Sequence, residues 1–389
     1  MTTLTAKTLS GLEDVLAAEL KDLGAHNVKP KRRAVQFDGD DLLIYKSNLW
    51  CRSALSILKP VYKFTFESQQ EYYDILRAYP WDELFAVDKT ISINALAFSS
   101  VFSNTHFLAQ RTKDAIADYF IDKAGKRPDV DLDDPQVKVN IFIQQNQCTV
   151  SLDSSGAPLF KRGYRRKSTT APLNEVLAAG IIMISGWDKQ QPLYDPMCGS
   201  GTFSIEAGMM AMNMAPAIFR KNFSFMHWNS FDAQGWDQMR ESAAAETPGQ
   251  SLPEIFASDI SNLSMDAARQ NIMEAGLLGR VRLEKKDFFA SKPRHNNGTL
   301  VLNPPYGRRL QSPDISEYYQ KIGATFKHNY PGFEAWVISP DKALTHKIGL
   351  KHTHRQTVFN GQIECQLLGY KLYQGTKRVR RKRIDPTKQ

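Results

Sequence analysis

Apolar residues recur along this chain with two different periods. Leu12, Val15, Leu16, Leu20 and Leu23 fall on one helical face, and Gly24 supplies a stop. Ala34 to Phe37 alternates and runs into Asp38-Gly39, a turn signal. Thr90 to Leu96 reads as a strand. Asn104 or Thr105 can cap a helix carrying Phe107, Leu108, Ala115, Ile116 and Phe120, which ends near Gly125. Val137 to Ile143 alternates strictly, and Cys148 to Leu152 follows a Gln/Asn turn as its hairpin partner. These features predict a small α+β binding module without a catalytic cluster.

Ser154 to Lys167 reads as a loop, the expected hinge between two halves. Beyond it, Asn174 to Ser185 is an apolar helix, and Pro192 to Asp195 is a short strand ending in a carboxylate. An apolar helix over Phe203 to Met212 follows a Gly-rich turn. Strands are expected at Glu254–Asp259, from Val281, at Gly298–Leu302 and at Glu334–Ile338. Strands separated by helices imply a mostly parallel, doubly wound sheet.

Composition narrows the class. The 389 residues are 42% apolar, enough for sizeable cores, and the net charge of +9 raises the expectation of a polyanionic partner. Four scattered Cys and no CxxC argue against a zinc ribbon and for reduced thiols in a cytoplasmic protein. His352 and His354 lack carboxylate or Cys partners at ligand spacing, so no metal is expected. The apolar run Val176–Trp187 is too short to span a bilayer, so no membrane partner is expected.

Four strand ends carry the candidate chemistry. Asp195-Pro-Met-Cys-Gly-Ser-Gly-Thr202 follows a strand, and its glycines let the backbone approach a ligand. It is neither GxGxxG nor a phosphate-cradling GK[ST] loop. Asp259 ends the next strand, where a carboxylate can accept both ribose hydroxyls of a nucleoside. It lies well beyond the about 20 residues a simple unit would use, which implies an insertion over 213–252. That insertion holds Phe219, Arg220, Lys221, Phe223, Phe225, Trp228, Phe231 and Trp236. A local aromatic core is the expectation there, and a base-stacking surface is the alternative. Asp287-Phe288 follows a third strand and suits an adenine amino group and ring face.

The fourth is Asn303-Pro-Pro-Tyr306. An exocyclic amine is a poor nucleophile because its lone pair is delocalised into the base. The Asn303 oxygen and the Pro304 carbonyl can accept its two hydrogens, Pro305 stiffens the turn, and Tyr306 can stack on the base. The motif specifies an amine rather than a particular base.

The Asp195 loop followed by Asn303-Pro-Pro-Tyr306 resembles class I S-adenosyl-L-methionine-dependent amino-methyltransferases. The string from Leu159 to Ala179 is similar to the domain entry of THUMP-containing RNA guanine-N2 methyltransferases, and the match narrows to bacterial 23S rRNA enzymes of the RlmL type. The segment 104–118 resembles their THUMP helix, and Phe359 to Cys365 their closing hairpin. The resemblance implies an α/β Rossmann-like doubly wound methyltransferase domain behind small α+β ferredoxin-like and THUMP domains. The implied boundaries are 1–60, 61–158 and 159–376, with a basic tail over 377–389.

It also implies roles. Asp195, Cys198, Gly199, Gly201 and Thr202 would line the methionine part of S-adenosyl-L-methionine. Asp259 would hold its ribose, and Asp287 and Phe288 its adenine. Thr170, Pro172 and Leu173 would close the pocket. Asn303, Pro304, Pro305 and Tyr306 would present guanine N2. The implied partner is structured rRNA, with tRNA as an alternative. Adenine-N6 methylation of DNA or RNA, protein glutamine methylation and non-catalytic RNA binding compete with this reading.

Two basic runs account for the net charge: Lys161, Arg162, Arg165, Arg166 and Lys167, and a tail with seven Lys and Arg against one Asp. Both are expected to contact RNA phosphates. Deleting 377–389 is expected to lower RNA affinity and flatten its dependence on salt, read by filter binding across a salt series.

Overall fold

The computed structural model describes residues 1–168, 172–245, 252–305 and 315–374. The chain builds two seven-stranded sheets. In the first half, β1 (Thr2–Thr8), α1 (Glu13–Asp22), β2 (His26–Lys31), β3 (Ala34–Gly39), α2 (Asp41–Trp50) and β4 (Ala54–Thr65) come first. Then follow α3 (Gln69–Ala78), β5 (Ile91–Phe98), α4 (Thr105–Ala124), β6 (Val137–Gln144) and β7 (Gln147–Asp153). The spatial order is β2-β3-β1-β4-β7-β6-β5.

Local chemistry sets several of these boundaries. Asn104 caps α4 by accepting from the His106 and Phe107 amides, and Gly125 ends it in the left-handed region. β4 pairs with β1 on one side and with β7 on the other. The expected boundary at 60/61 therefore falls inside β4, which serves both small domains. One continuous apolar core runs beneath this sheet.

The second half holds α5 (Glu175–Ile184), β8 (Leu193–Asp195), α6 (Thr202–Ala211), α7 (Ala233–Ala245), β9 (Ile255–Asp259) and α8 (Asn262–Glu274). It continues with β10 (Val281–Lys285), β11 (Gly298–Leu302), α9 (Ile315–Asn329), β12 (Phe333–Ser339), α10 (Lys342–Lys347), β13 (His354–Asn360) and β14 (Ile363–Lys371). The order is β10-β9-β8-β11-β12-β14-β13, with β8 to β12 parallel and β14 antiparallel to both neighbours. The strand order reverses between β8 and β11, which opens a crevice at their carboxyl ends. Alternate residues face opposite cores. Val301 and Ile338 pack with α5, α6 and α8, while Leu300, Leu302 and Val337 pack with α9 and α10.

The expected hinge is a packed joint. Arg162 is 1% exposed and donates to the carbonyls of Arg52 and Leu159, with Glu206 beside its Nε at 3.5 Å. The Tyr164 hydroxyl donates to the same Glu206 oxygen at 3.0 Å. On the other side, buried Glu19 accepts from the Arg52 and Ser53 amides and from the Ser53 hydroxyl.

The aromatic insertion forms neither a separate core nor a free surface. Phe223, Phe225, Trp228 and Trp236 are buried in the core of the first half. Phe225 lies 4.5 Å from the Tyr45 ring, and Trp236 meets Tyr45 edge-on. Arg220 is buried and donates to the carbonyls of Ser155, Ala157 and Pro158. Burial pushes its pKa down to about 10, so it stays charged at neutral pH while spending its donors on backbone. It is not available to stack on or pair with RNA.

Arg162→Ala leaves the Glu206 carboxylate buried beside unfilled space. It is expected to destabilise the protein by about 3–5 kcal/mol, and the joint Arg162→Met/Glu206→Met change to recover part of that. Urea unfolding midpoints of the three proteins check this.

Candidate active site

The loop after β8 is shaped by a carboxylate and two glycines. Asp195 is buried, and its Oδ2 accepts from the Ser204 hydroxyl at 2.8 Å and the Ser204 amide at 3.3 Å. Its Oδ1 has no hydrogen-bond partner. Burial pushes its pKa up to about 7, against the pull of the Ser204 donors. A cation arriving at Oδ1 would therefore draw it into the charged form. Gly199 and Gly201 both take positive φ, +54° and +84°. Gly201 caps α6, and a Cβ there would meet the Ala268 methyl at 3.4 Å.

Asp259 ties this loop to β9. Its Oδ2 accepts from the Gly199 amide at 3.0 Å and its Oδ1 from the Ser261 amide at 2.9 Å. At the end of β10, Asp287 accepts from the Phe289 amide at 2.9 Å, and Phe288 is buried against Tyr330. After β11, the Asn303 Oδ1 is buried and has no hydrogen-bond partner.

These strand ends surround a cavity of about 850 Å³. Of the residues expected at the site, Pro172, Leu173, Cys198, Gly199, Thr202, Asp259, Asp287, Phe288, Asn303 and Pro305 line it. Asp195, Gly201 and Pro304 lie behind the wall and shape it. Thr170 and Tyr306 lie outside the described residues, as does the tail 377–389. The Cys198 thiol is held protonated by burial and by the nearby Asp195 and Asp259, which makes it a packing group rather than a nucleophile.

Several lining residues were missed, Tyr318, Lys286 and Leu263 among them. Tyr318 on α9 reaches Met197 Sδ at 3.5 Å across the cavity wall. Lys286 lines the wall beside Asp287, and Leu263 on α8 is 81% exposed at the cavity edge. Tyr318 follows no motif and is brought in only by the packing of α9. Leu263 signals itself as an apolar side chain at the start of a helix just past a strand-end Asp. Among the described residues no group of three His, Cys, Asp or Glu side chains is placed to hold a metal.

The basic run divides. Arg162 is spent in the joint and does not reach solvent. Arg165 is also committed: it donates to Glu175 Oε1 at 2.6 Å, Ser200 Oγ at 3.1 Å, Thr202 Oγ1 at 3.0 Å and the Leu173 carbonyl at 3.0 Å. It binds the domain entry to the glycine loop, so the phosphate role expected for Arg162 and Arg165 does not hold. Lys161, Arg166 and Lys167 remain exposed, and the last two reach the cavity edge. Asn271, fully buried on α8, holds both the Lys167 and Ser200 carbonyls.

A profile of the RMKL-like methyltransferase domain matches residues 162–368. The chain belongs to this family. A THUMP domain matches 67–153 and an RlmL ferredoxin-like domain 3–58. A Synechocystis sp. protein provisionally named RNA methyltransferase slr0064 is 38% identical over 95% of this chain and 96% of its own. SMU.472, provisionally described as a methyltransferase and solved with SAH, is 30% identical with a TM-score of 0.85, covering 96% of this chain and 99% of its own. A Listeria monocytogenes protein, provisionally named an N6-adenine-specific DNA methylase, is 27% identical with a TM-score of 0.84, covering 95% and 96%.

The cavity of this RMKL-like methyltransferase fits a sulfonium nucleoside of the S-adenosylmethionine type. It has room for one, and the strand-end carboxylates Asp259 and Asp287 lie in its wall. No helix among the described residues is long and apolar enough to cross a membrane.

Arg165→Ala is expected to weaken SAH binding by about tenfold, the worth of one or two charge-assisted hydrogen bonds. RNA affinity should change little. Calorimetry with SAH and filter binding with RNA separate this from a phosphate-contacting role, which would show the reverse pattern.

Proposed function

We propose that this chain is an S-adenosyl-L-methionine-dependent RNA methyltransferase that methylates the exocyclic N2 amine of a guanine, with 23S rRNA as its substrate. The THUMP match and the name of the Synechocystis relative support RNA. The RlmL ferredoxin-like match supports an rRNA target. The base rests on the resemblance of the 159–179 string.

One observation carries the chemistry: the buried, unpartnered Asn303 Oδ1 in the cavity wall, followed by two prolines. An unsatisfied buried acceptor costs about 1–3 kcal/mol, and an incoming amine N–H satisfies it. The cofactor, when bound, supplies an electrophilic methyl group on a sulfonium sulfur. Asn303 and the Pro304 carbonyl each accept one amine hydrogen and so aim the nitrogen lone pair away from the base plane. The prolines fix the distance between those two acceptors. Orientation then replaces a strong base. The family resemblance assigns Tyr306 the role of stacking on the base. Asp195, Asp259, Asp287 and Phe288 hold the cofactor along the strand ends.

The Listeria protein's name favours a second reading, adenine-N6 methylation. The same two acceptors would serve that amine. Nucleoside analysis of RNA methylated in vitro decides between them. N2-methylguanosine is expected, and N6-methyladenosine would overturn the base. Asn303→Ala is expected to lower kcat by about 10²–10³-fold, as for loss of a preorganised polar contact to the reacting group, while SAH affinity holds. Full activity in that variant would overturn the mechanism.

A further inference from the structure

The β2–β3 hairpin carries a cluster of cations with no role in the site described above. Lys29, Lys31, Arg32 and Arg33 lie within five residues, all exposed. None takes part in an ion pair. The two nearby acids take their hydrogen bonds from neutral donors, and Asp38 feels Lys29 through space without a direct ion pair. Glu13 accepts from the Gly11 and Arg33 amides at 2.7 and 3.0 Å. Asp38 accepts from the Thr3 hydroxyl and the Asn27 amide, both at 2.7 Å. Pro30 sits on edge strand β2 and removes a backbone donor, which disfavours pairing with another strand. The hairpin thus presents four exposed cations, none in an ion pair, against two nearby carboxylates, on an edge unsuited to β-addition.

Its position links it to the catalytic half. Glu13 holds Arg33 and Gly11 together. Gly11 accepts from Gln356 Nε2 and lies so close to β13 that a Cβ would meet the Thr357 carbonyl at 2.5 Å. Along the same strand, Asn360 Oδ1 accepts from the Asn174 amide at 3.2 Å, directly after the cavity-lining Pro172 and Leu173. A continuous chain of contacts therefore runs from the cations to the cavity rim.

We propose that this hairpin is a phosphate-binding surface that holds substrate RNA along the β13 edge. Resting on the RNA reading above, it assigns to the ferredoxin-like domain the electrostatic contacts that Arg162 and Arg165 cannot make. Each phosphate neutralised contributes a slope of about 0.7–0.9 to the dependence of log affinity on log salt.

The test uses the full-length chain and unmodified 23S rRNA transcribed in vitro. The Lys29→Gln/Lys31→Gln/Arg32→Gln/Arg33→Gln protein should bind this RNA at least about tenfold more weakly, with a salt slope shallower by about 2–3. Its SAH affinity and melting temperature should match the parent. A charge-conserving Lys29→Arg/Lys31→Arg/Arg32→Lys/Arg33→Lys protein should restore both affinity and slope. Unchanged affinity and slope in the neutralised protein would overturn the proposal and leave the methyltransferase reading standing. A parent that binds no RNA would overturn both. Hairpin-dependent binding without methyl transfer would uphold the surface and sink only the activity.

Discussion

A guanidinium enclosed in protein must find its acceptors there, and Arg162 imposes that constraint on both halves of the molecule. Its acceptors are a carbonyl from the first half, a carbonyl of its own segment and a carboxylate on α6. Within the closed joint these acceptors offset the cost of enclosing the charge, as the Arg52 and Ser53 donors do for Glu19. The insertion reinforces the same joint with aromatic side chains buried in the first-half core, and Arg220 fastens it to the carbonyls of the connecting segment. The two halves are therefore held in one relative position by charge satisfaction and by shared apolar burial.

From that joint the active site inherits its geometry. Residues 162–167 run from the buried cluster to the cavity edge within a few positions, and each is fastened differently. Arg165 fixes the glycine loop and the domain entry, and Asn271 fixes Lys167 against Ser200. The loop is in turn held by Asp259, whose oxygens take backbone amides of the loop and of the following turn. The glycine loop is thereby fixed on both sides, with Asn303 Oδ1 in the cavity wall and Asp195 Oδ1 behind it as buried acceptors without a partner. Chemistry that depends on orientation requires this stiffness.

The strand ends that meet at the cavity were legible in the sequence because each is a local pattern. Asp195 to Thr202, Asp259, Asp287 and Asn303 each follow a short apolar run that is recognisable by itself, and their serial order implied one sheet and one crevice. Capping at Asn104 was legible for the same reason. The long strand β4 was not. Its residues Lys59, Pro60 and Lys63 break the apolar alternation, because one strand serves two domains and changes partners' environments along its length.

The basic residues separate the two kinds of knowledge most clearly. By itself the sequence determined that cations cluster at 161–167, and that strand-end loops at Asp195 to Thr202 and Asn303 to Pro305 belong to one doubly wound sheet. Only the tertiary structure decided which cations face solvent. Arg162 and Arg165 are indistinguishable from Arg166 in sequence, yet two are enclosed by acceptors contributed from residues 52, 175, 200, 202 and 206. Lys29, Lys31, Arg32 and Arg33 carry no motif, yet folding left them exposed together on the β2–β3 hairpin. The physical reason is that a charge's role depends on the dielectric and the partners around it. Those are set by segments distant in the chain, whereas a turn or a cap is set by its own neighbours.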